Sequence, residues 1–202
     1  AVFAAEFPSA HSGLDSFKKL PSIGEKTAER LSFAVMNMSE EDINSFSKAI
    51  VDVKLKIKKC SICGNITENE ICDICSDSSR DSDIICVVED SKNIISLEKM
   101  GSYRGKYHVL NGLISPMDGK GPDDIMLDSL LQRIKKENIK EIIIAVSPTL
   151  EGETTSLYIS KLLEPFKITV SKIAYGIPIG ADMEYLDPMT LSMAMSNRNK
   201  IS

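Results

Sequence analysis

The chain has 202 residues with a formal net charge of −5; 43% are hydrophobic and 26% charged, a balance that suits a globular protein with one sizeable core and smaller appendages. Its most apolar run, Ile142 to Val146, has strand length against the roughly 20 residues of a spanning helix, so no membrane segment is expected. The acidic balance, pI near 5.2, excludes nucleic-acid binding by bulk charge and leaves that role to a local patch. Residues 1–12 begin without Met and lack a charged-then-apolar signal pattern, so they read as a frayed tail or cloning remnant, and a reducing cytoplasmic setting is expected.

Residues 13–57 read as a small helical domain. Leu14, Phe17 and Leu20 share one helical face, and Ala28, Leu31, Ala34 and Val35 share the next, with the turn Pro21-Ser22-Ile23-Gly24 between them. Pro21 ends the first helix, and Gly24 is expected to let the backbone turn. The string resembles the helix-hairpin-helix motif, in which helix-terminal amides and nearby cations hold DNA phosphates. The candidates are Lys18, Lys19, Lys26 and Arg30, the last two one turn apart on one face. An αα-corner with solvated charges fits the same residues. A further helix follows, capped by Ser39 with Asp42 and carrying the stripe Ile43, Phe46, Ile50, Val53 and Ile57. Lys54, Lys56, Lys58 and Lys59 crowd its end, where they suit the helix dipole or extend a basic track.

Residues 58–79 hold two Cys-x-x-Cys pairs, Cys60/Cys63 and Cys72/Cys75, four of the five cysteines of the chain. Two such turns facing each other make a closed tetrahedral site for one structural Zn²⁺. Disulfides require an oxidising compartment, a redox pair comes once rather than twice, and an iron–sulfur cluster uses the same four thiolates. The paired spacing is the signature of zinc. The few apolar residues here, Ile62, Ile66, Ile71 and Ile74, cannot hold the module, so metal binding is expected to fold it.

Residues 80–173 alternate strands and helices: strand Ile84 to Val88, helix Ser91 to Met100 ended by Gly101, strand Tyr107 to Leu110, a Gly/Pro-rich loop, a helix opened by Pro122, strand Glu141 to Val146, helix Glu153 to Leu163 and strand Ile168 to Val170. This predicts an α/β fold, a mostly parallel sheet with helices on both faces. Cys86 reads as plain core. Glu89-Asp90 and Glu151 with Glu153 fall at the carboxyl ends of strands, where such sheets gather ligands.

That arrangement resembles the Toprim domain. Catalytic members carry a Glu after the first strand and an Asp-x-Asp that holds Mg²⁺; this chain keeps Glu89 but reads Ser147-Pro148-Thr149-Leu150-Glu151-Gly152-Glu153 at the second element. Hydroxyls cannot replace two carboxylates around a hard cation, so no catalytic residue is expected. Glu89, Asp90, Glu151 and Glu153 are then a surface for a protein partner or solvated charge.

In residues 174–202, Asp187 and Pro188 read as N-cap and N1 of a short last helix, and the apolar stretch YGIPIGADMEYL has to dock on the body or on a neighbouring subunit. The modules, in this order, closely resemble the RecR family of bacterial recombination mediators, down to the loop SPMDGKGPDDI and the tail GIPIGADMEYLD. The resemblance implies a non-enzymatic DNA repair factor that assembles through both chain ends into DNA-encircling rings, commonly tetramers. It also implies work with RecO and RecF to load RecA on single strands, with RecO on the acidic Toprim edge. The rival reading is an active Toprim phosphoryl-transfer enzyme, a nuclease or primase-like protein.

Overall fold

The structure, a computed structural model, describes residues 8–198, so residues 1–7 of the expected tail lie outside the described residues. The chain divides into two compact units, Ala1–Ile57 and Lys58–Ser202. In the first, helix α1 (Pro8–Lys18) begins inside the segment read as tail, and α2 (Glu25–Met36) follows, packed on α1. Ala28 and Ser32 of α2 are buried, and the Ser32 hydroxyl donates to the Ala28 carbonyl at 2.9 Å.

The turn between these helices differs in one respect from expectation. Ser22 takes the left-handed conformation, φ 65°. Gly24 is extended, φ −85° and ψ 175°, and stands as N-cap of α2. A third helix, α3 (Glu40–Lys56), starts as expected, the Ser39 hydroxyl accepting from the Asp42 N–H at 3.1 Å and donating to its carboxylate at 2.7 Å. Its apolar stripe faces outward: Phe46, Ile50, Val53 and Ile57 are all exposed.

The second unit opens on the two-residue strands β1 (Lys58–Lys59) and β2 (Ile66–Thr67), paired antiparallel, and a single-turn helix α4 (Asp73–Ser76). The lysine run is therefore split between the last turn of α3 and β1. The body follows as β3 (Asp81–Val88), α5 (Ser91–Glu98), β4 (Gly105–Val109), α6 (Leu127–Lys136), β5 (Glu141–Ala145), α7 (Leu150–Leu163) and β6 (Thr169–Lys172). The four-stranded sheet has the order β4-β3-β5-β6 and is parallel throughout, a doubly wound α/β arrangement.

Alternation along the strands divides the core in two. Ile85, Val87, Ile142 and Ile144 meet Leu127, Leu130, Ile134, Ile159 and Leu163 of α6 and α7 on one face. Cys86, Val88, Tyr107, Val109 and Ala145 meet Ile94 of α5 on the other. Burial pushes the Cys86 thiol up to about 12, in keeping with its reading as core.

Three helix starts differ from expectation. Pro122 opens a 3₁₀ turn, Pro122–Asp124, and α6 begins at Leu127. Asp90 rather than Ser91 caps α5: its carboxylate accepts from the Lys92 N–H at 2.8 Å while Asn93 accepts from the Asp90 N–H at 2.9 Å. Thr149 caps α7, which places Leu150 to Glu153 inside the helix. The last helix, α8 (Pro188–Ser196), begins as expected, Asp187 accepting from the N–H groups of Met189 and Thr190 at 3.0 Å each.

His108 lies in β4 with its ring wholly buried; Nε2 donates to the Met126 carbonyl at 2.7 Å and Nδ1 has no partner among the described residues. Burial pushes its pKa down to about 4. The unfolded chain takes up this proton near pH 6.5 and the folded one only near 4, so stability present above pH 6.5 is lost as pH falls through that window, by about 2 kcal/mol between pH 7 and 5. Urea titrations of His108→Gln should show a correspondingly flatter pH dependence than wild type. Equal slopes would contradict a neutral buried imidazole.

Candidate metal centre and nucleic-acid interface

The sulfurs of Cys60, Cys63, Cys72 and Cys75 all lie within 4.8 Å of one another. Zn–S bonds of about 2.3 Å in a tetrahedron set sulfur–sulfur edges of roughly 3.8 Å, and Cys63 and Cys72 stand 3.6 Å apart. The first pair sits on a turn closed by the Gly64 N–H to the Cys60 carbonyl (3.0 Å), with Gly64 at φ +74°. The second pair begins at Cys72, N-cap of α4, whose N–H points at the Cys60 sulfur at 3.3 Å.

With protons alone to balance charge, mutual repulsion limits how many of these neighbouring sulfurs ionise together. Hydrogen bonding from Cys63 drives Cys72 far down, bonding to Cys72 pushes Cys63 up to about 12, and Cys75 is pushed up by Cys63 and Cys72. A divalent cation lifts that limit, so the donor set fits one Zn²⁺ with no open position for chemistry.

The knuckle is built into the edge of the sheet. Val109 of β4 donates to the Cys63 carbonyl at 2.8 Å, and a Cβ on Gly64 would stand 3.2 Å from the Val109 oxygen. Lys106, nearly buried, donates to the carbonyls of Ile74 (2.8 Å), Cys75 (3.2 Å) and Asp77 (2.6 Å), satisfying the C-terminal end of α4. Nothing in the sequence reading points to Lys106; a lysine inside the strand Gly-Lys-Tyr-His-Val is the one signal for it.

Further into the sheet, β3 and β5 are neighbours whose connections run to opposite sides, which makes a crevice at their carboxyl ends. Glu89 and Ser147 face each other there, the Ser147 hydroxyl donating to the Glu89 carboxylate at 2.8 Å. The Thr149 hydroxyl accepts from the Gly152 N–H at 3.2 Å. Gly152 is required by close approach, since a side chain would run into the Ser147 carbonyl. Glu153 is paired with Lys172 at 2.9 Å, and Lys172 lies 4.8 Å over the Tyr175 ring. The four expected acidic residues thus divide: Glu89 is bonded to Ser147, Asp90 is a helix cap and Glu153 an ion pair. Among the described residues no side-chain partner engages Glu151, which stands in the first turn of α7 rather than on a loop.

In the first unit, Lys18, Lys19, Lys26 and Arg30 are all exposed. Lys18 lies 4.0 Å from Asp15, whereas no ion pair engages the other three among the described residues. Gly24 offers α2 no side-chain cap, and a Cβ there would meet nothing within 4 Å. The first amides of α2 are therefore open to an external acceptor beside Lys26.

Comparison with known proteins assigns the modules. The RecR helix-hairpin-helix family matches residues 14–54, the RecR four-cysteine zinc finger domain 57–77, the Toprim domain 83–174 and the RecR C-terminal family 176–199. Recombination protein RecR of Staphylococcus haemolyticus (strain JCSC1435) is 53% identical over 93% of this chain and 95% of its own length. The proteins of the same name from Staphylococcus saprophyticus subsp. saprophyticus and Staphylococcus aureus (strain JH9) are 54% and 52% identical over the same shares.

Metal analysis of the purified protein should find one zinc per chain. Losing one ligand forfeits much of the binding energy that folds the knuckle, so Cys60→Ser should aggregate or lose its cooperative unfolding transition. Iron in place of zinc, or a native-like, zinc-free Cys60→Ser protein, would reject a structural zinc.

Proposed function

The chain belongs to the RecR family of recombination proteins, and from that premise we propose that it is a non-catalytic mediator of DNA repair that closes into a ring, commonly a tetramer, around DNA. It works in the cytoplasm with RecO and RecF to load RecA onto single strands at gaps and breaks. The proposed division of labour is DNA on residues 13–57, folding on the zinc module 58–79, partner contact on the Toprim body 80–173 and assembly through 174–202. In that last segment Ile179, Met183, Tyr185, Met189 and Met195 are exposed apolar side chains, as a subunit contact requires.

One observation carries the non-enzymatic reading: the crevice between β3 and β5 is closed by a hydroxyl–carboxylate hydrogen bond, Ser147 to Glu89. Mg²⁺ needs convergent carboxylate charge to hold it against a phosphodiester. The hydroxyls of Ser147 and Thr149 carry none, and both are used, one on Glu89 and one on the helix cap. DNA contact rests on the uncapped amides of α2 beside Lys26 and Arg30, a phosphate site indifferent to sequence. Glu25 and Glu29 lie on the adjoining face of the same helix, so the positive surface is narrow.

The DNA test is a salt titration. Lys26→Ala and Arg30→Ala should each weaken binding to all sequences about equally and reduce the log–log salt slope by roughly one unit. Wild-type affinity in both at low salt would make the hairpin a structural corner. The catalytic test is incubation of the protein with supercoiled, nicked and single-stranded DNA plus Mg²⁺ or Mn²⁺, which should leave every substrate intact. Cleavage that disappears in Glu89→Gln would restore the enzyme reading.

A further inference from the structure

Lys106 carries its charge in an unusual place, inside a strand whose residues are all buried. Its side chain runs from β4 to the carbonyls of Ile74, Cys75 and Asp77, at 2.8, 3.2 and 2.6 Å, and only 8% of the residue is exposed. All three acceptors are neutral. Lys106 lines a cavity of about 660 Å³ with two other cations, Arg80 and Arg133. Those two are balanced by carboxylates, Arg80 by Glu98 and Asp77, and Arg133 by Glu137 at 3.0 Å. Asp83, in the same lining, is paired with Lys140 at 2.6 Å, and Asp81 is exposed and makes no ion pair with Lys106. Among the described residues, then, Lys106 has no carboxylate of its own.

Hydrogen bonding by itself does not account for that charge. The end of α4 needs donors, and an amide, a hydroxyl or water supplies them without taking an ammonium group out of solvent. A buried cation is tolerated where an anion offsets it. The cavity wall offers one: Cys75 lines it, the Cys75 carbonyl is one of the three acceptors, and the Cys75 sulfur belongs to the four-cysteine cluster. Four thiolates around one Zn²⁺ leave that centre with two negative charges. Cys60, Cys63 and Cys72 are buried, so water screens this charge poorly. The Cys72 N–H, 3.3 Å from the Cys60 sulfur, offsets part of it as a dipole.

We propose that Lys106 is the counter-charge of the zinc centre: its positive charge, held beside Cys75 by three carbonyls, stabilises the metal-bound thiolates and raises zinc affinity. It is a positioning residue rather than a ligand, since an ammonium group has no lone pair for a metal. β4 then serves both cysteine pairs, Val109 bonding to the Cys63 carbonyl and Lys106 to the Cys75 carbonyl, so one strand holds the two halves of the knuckle in register.

The proposal rests on zinc as the metal of the four cysteines, which the metal analysis above tests separately. Zinc affinity of the full chain is measured by competition with a chromophoric chelator for wild type, for Lys106→Gln, which keeps N–H donors and drops the charge, and for Lys106→Arg, which keeps both. Each protein is also loaded with cobalt(II), whose thiolate-to-metal absorption band reads the electrostatic field at the sulfurs. Lys106→Gln should bind zinc roughly tenfold to a hundredfold more weakly. Its cobalt band should move to longer wavelength, because removing a cation raises the energy of the thiolate electrons. Lys106→Arg should restore both. Wild-type zinc affinity in Lys106→Gln would overturn the proposal. So would weakened affinity with an unshifted cobalt band, which would make Lys106 a tie for the end of α4 and no more. Should Lys106→Gln not fold with zinc in excess, Lys106→Arg decides: wild-type affinity and band position support the counter-charge, and loss of zinc overturns it.

Discussion

The second unit depends on how edge strand β4 is closed. All five of its residues are buried, and an edge strand with uncovered amides is both unstable and a template for wrong pairing. Cys63 offers the carbonyl that Val109 needs, and Lys106 ties the strand to the end of α4. The cover is itself a knuckle with no core beyond the cysteines and a few isoleucines. Metal binding therefore stabilises more than the loop from Cys60 to Cys75: it covers the edge of the sheet, and the sheet holds the crevice two strands in.

That crevice is held together by the hydroxyls of Ser147 and Thr149 rather than by a cation. A threonine caps a helix much as an aspartate does, so Thr149 preserves the start of α7. Gly152 still admits the close approach of the helix to Ser147. Ser147 gives Glu89 a neutral donor in place of a cation, which removes the need for a counter-ion without moving the carboxylate. The backbone is thus indifferent to the exchange, while a divalent metal is not. Lys172 neutralises Glu153 from within the chain.

What the sequence made legible follows from how local each signal is. The zinc ligands were readable because two short spacings bring four sulfurs together with little help from the rest of the chain. The strands were readable as apolar runs, since a parallel sheet buried on both faces has little alternation to confuse them. Helix starts were less so: Asp90 beside Ser91, and Thr149 four residues before Glu153, compete as caps, and only backbone geometry decides. Ser22 and Gly24 were exchanged for the same reason, glycine being permissive rather than obliged. The stripe on α3 was correctly seen as apolar, but periodicity says which residues share a face and nothing about what covers it. Lys106 and the Ser147–Glu89 bond join positions 29 or more residues apart, and no local pattern announces them.

The two units carry different candidate charge sites, which raises a problem of discrimination. The open amides and cations of α2 suit phosphate, and the acidic rim of the sheet suits Lys and Arg. A basic partner, however, is attracted by DNA as strongly as by carboxylates, so electrostatics alone would let nucleic acid strip it from the protein. An apolar anchor breaks that equivalence, because a phosphate backbone has nothing to place in a hydrophobic pocket. Exposed apolar side chains, of which the sheet unit has several, offer a partner a contact that salt does not screen. If the acidic edge takes a basic partner, specificity for protein over nucleic acid comes from apolar surface, and the carboxylates set the speed and orientation of approach.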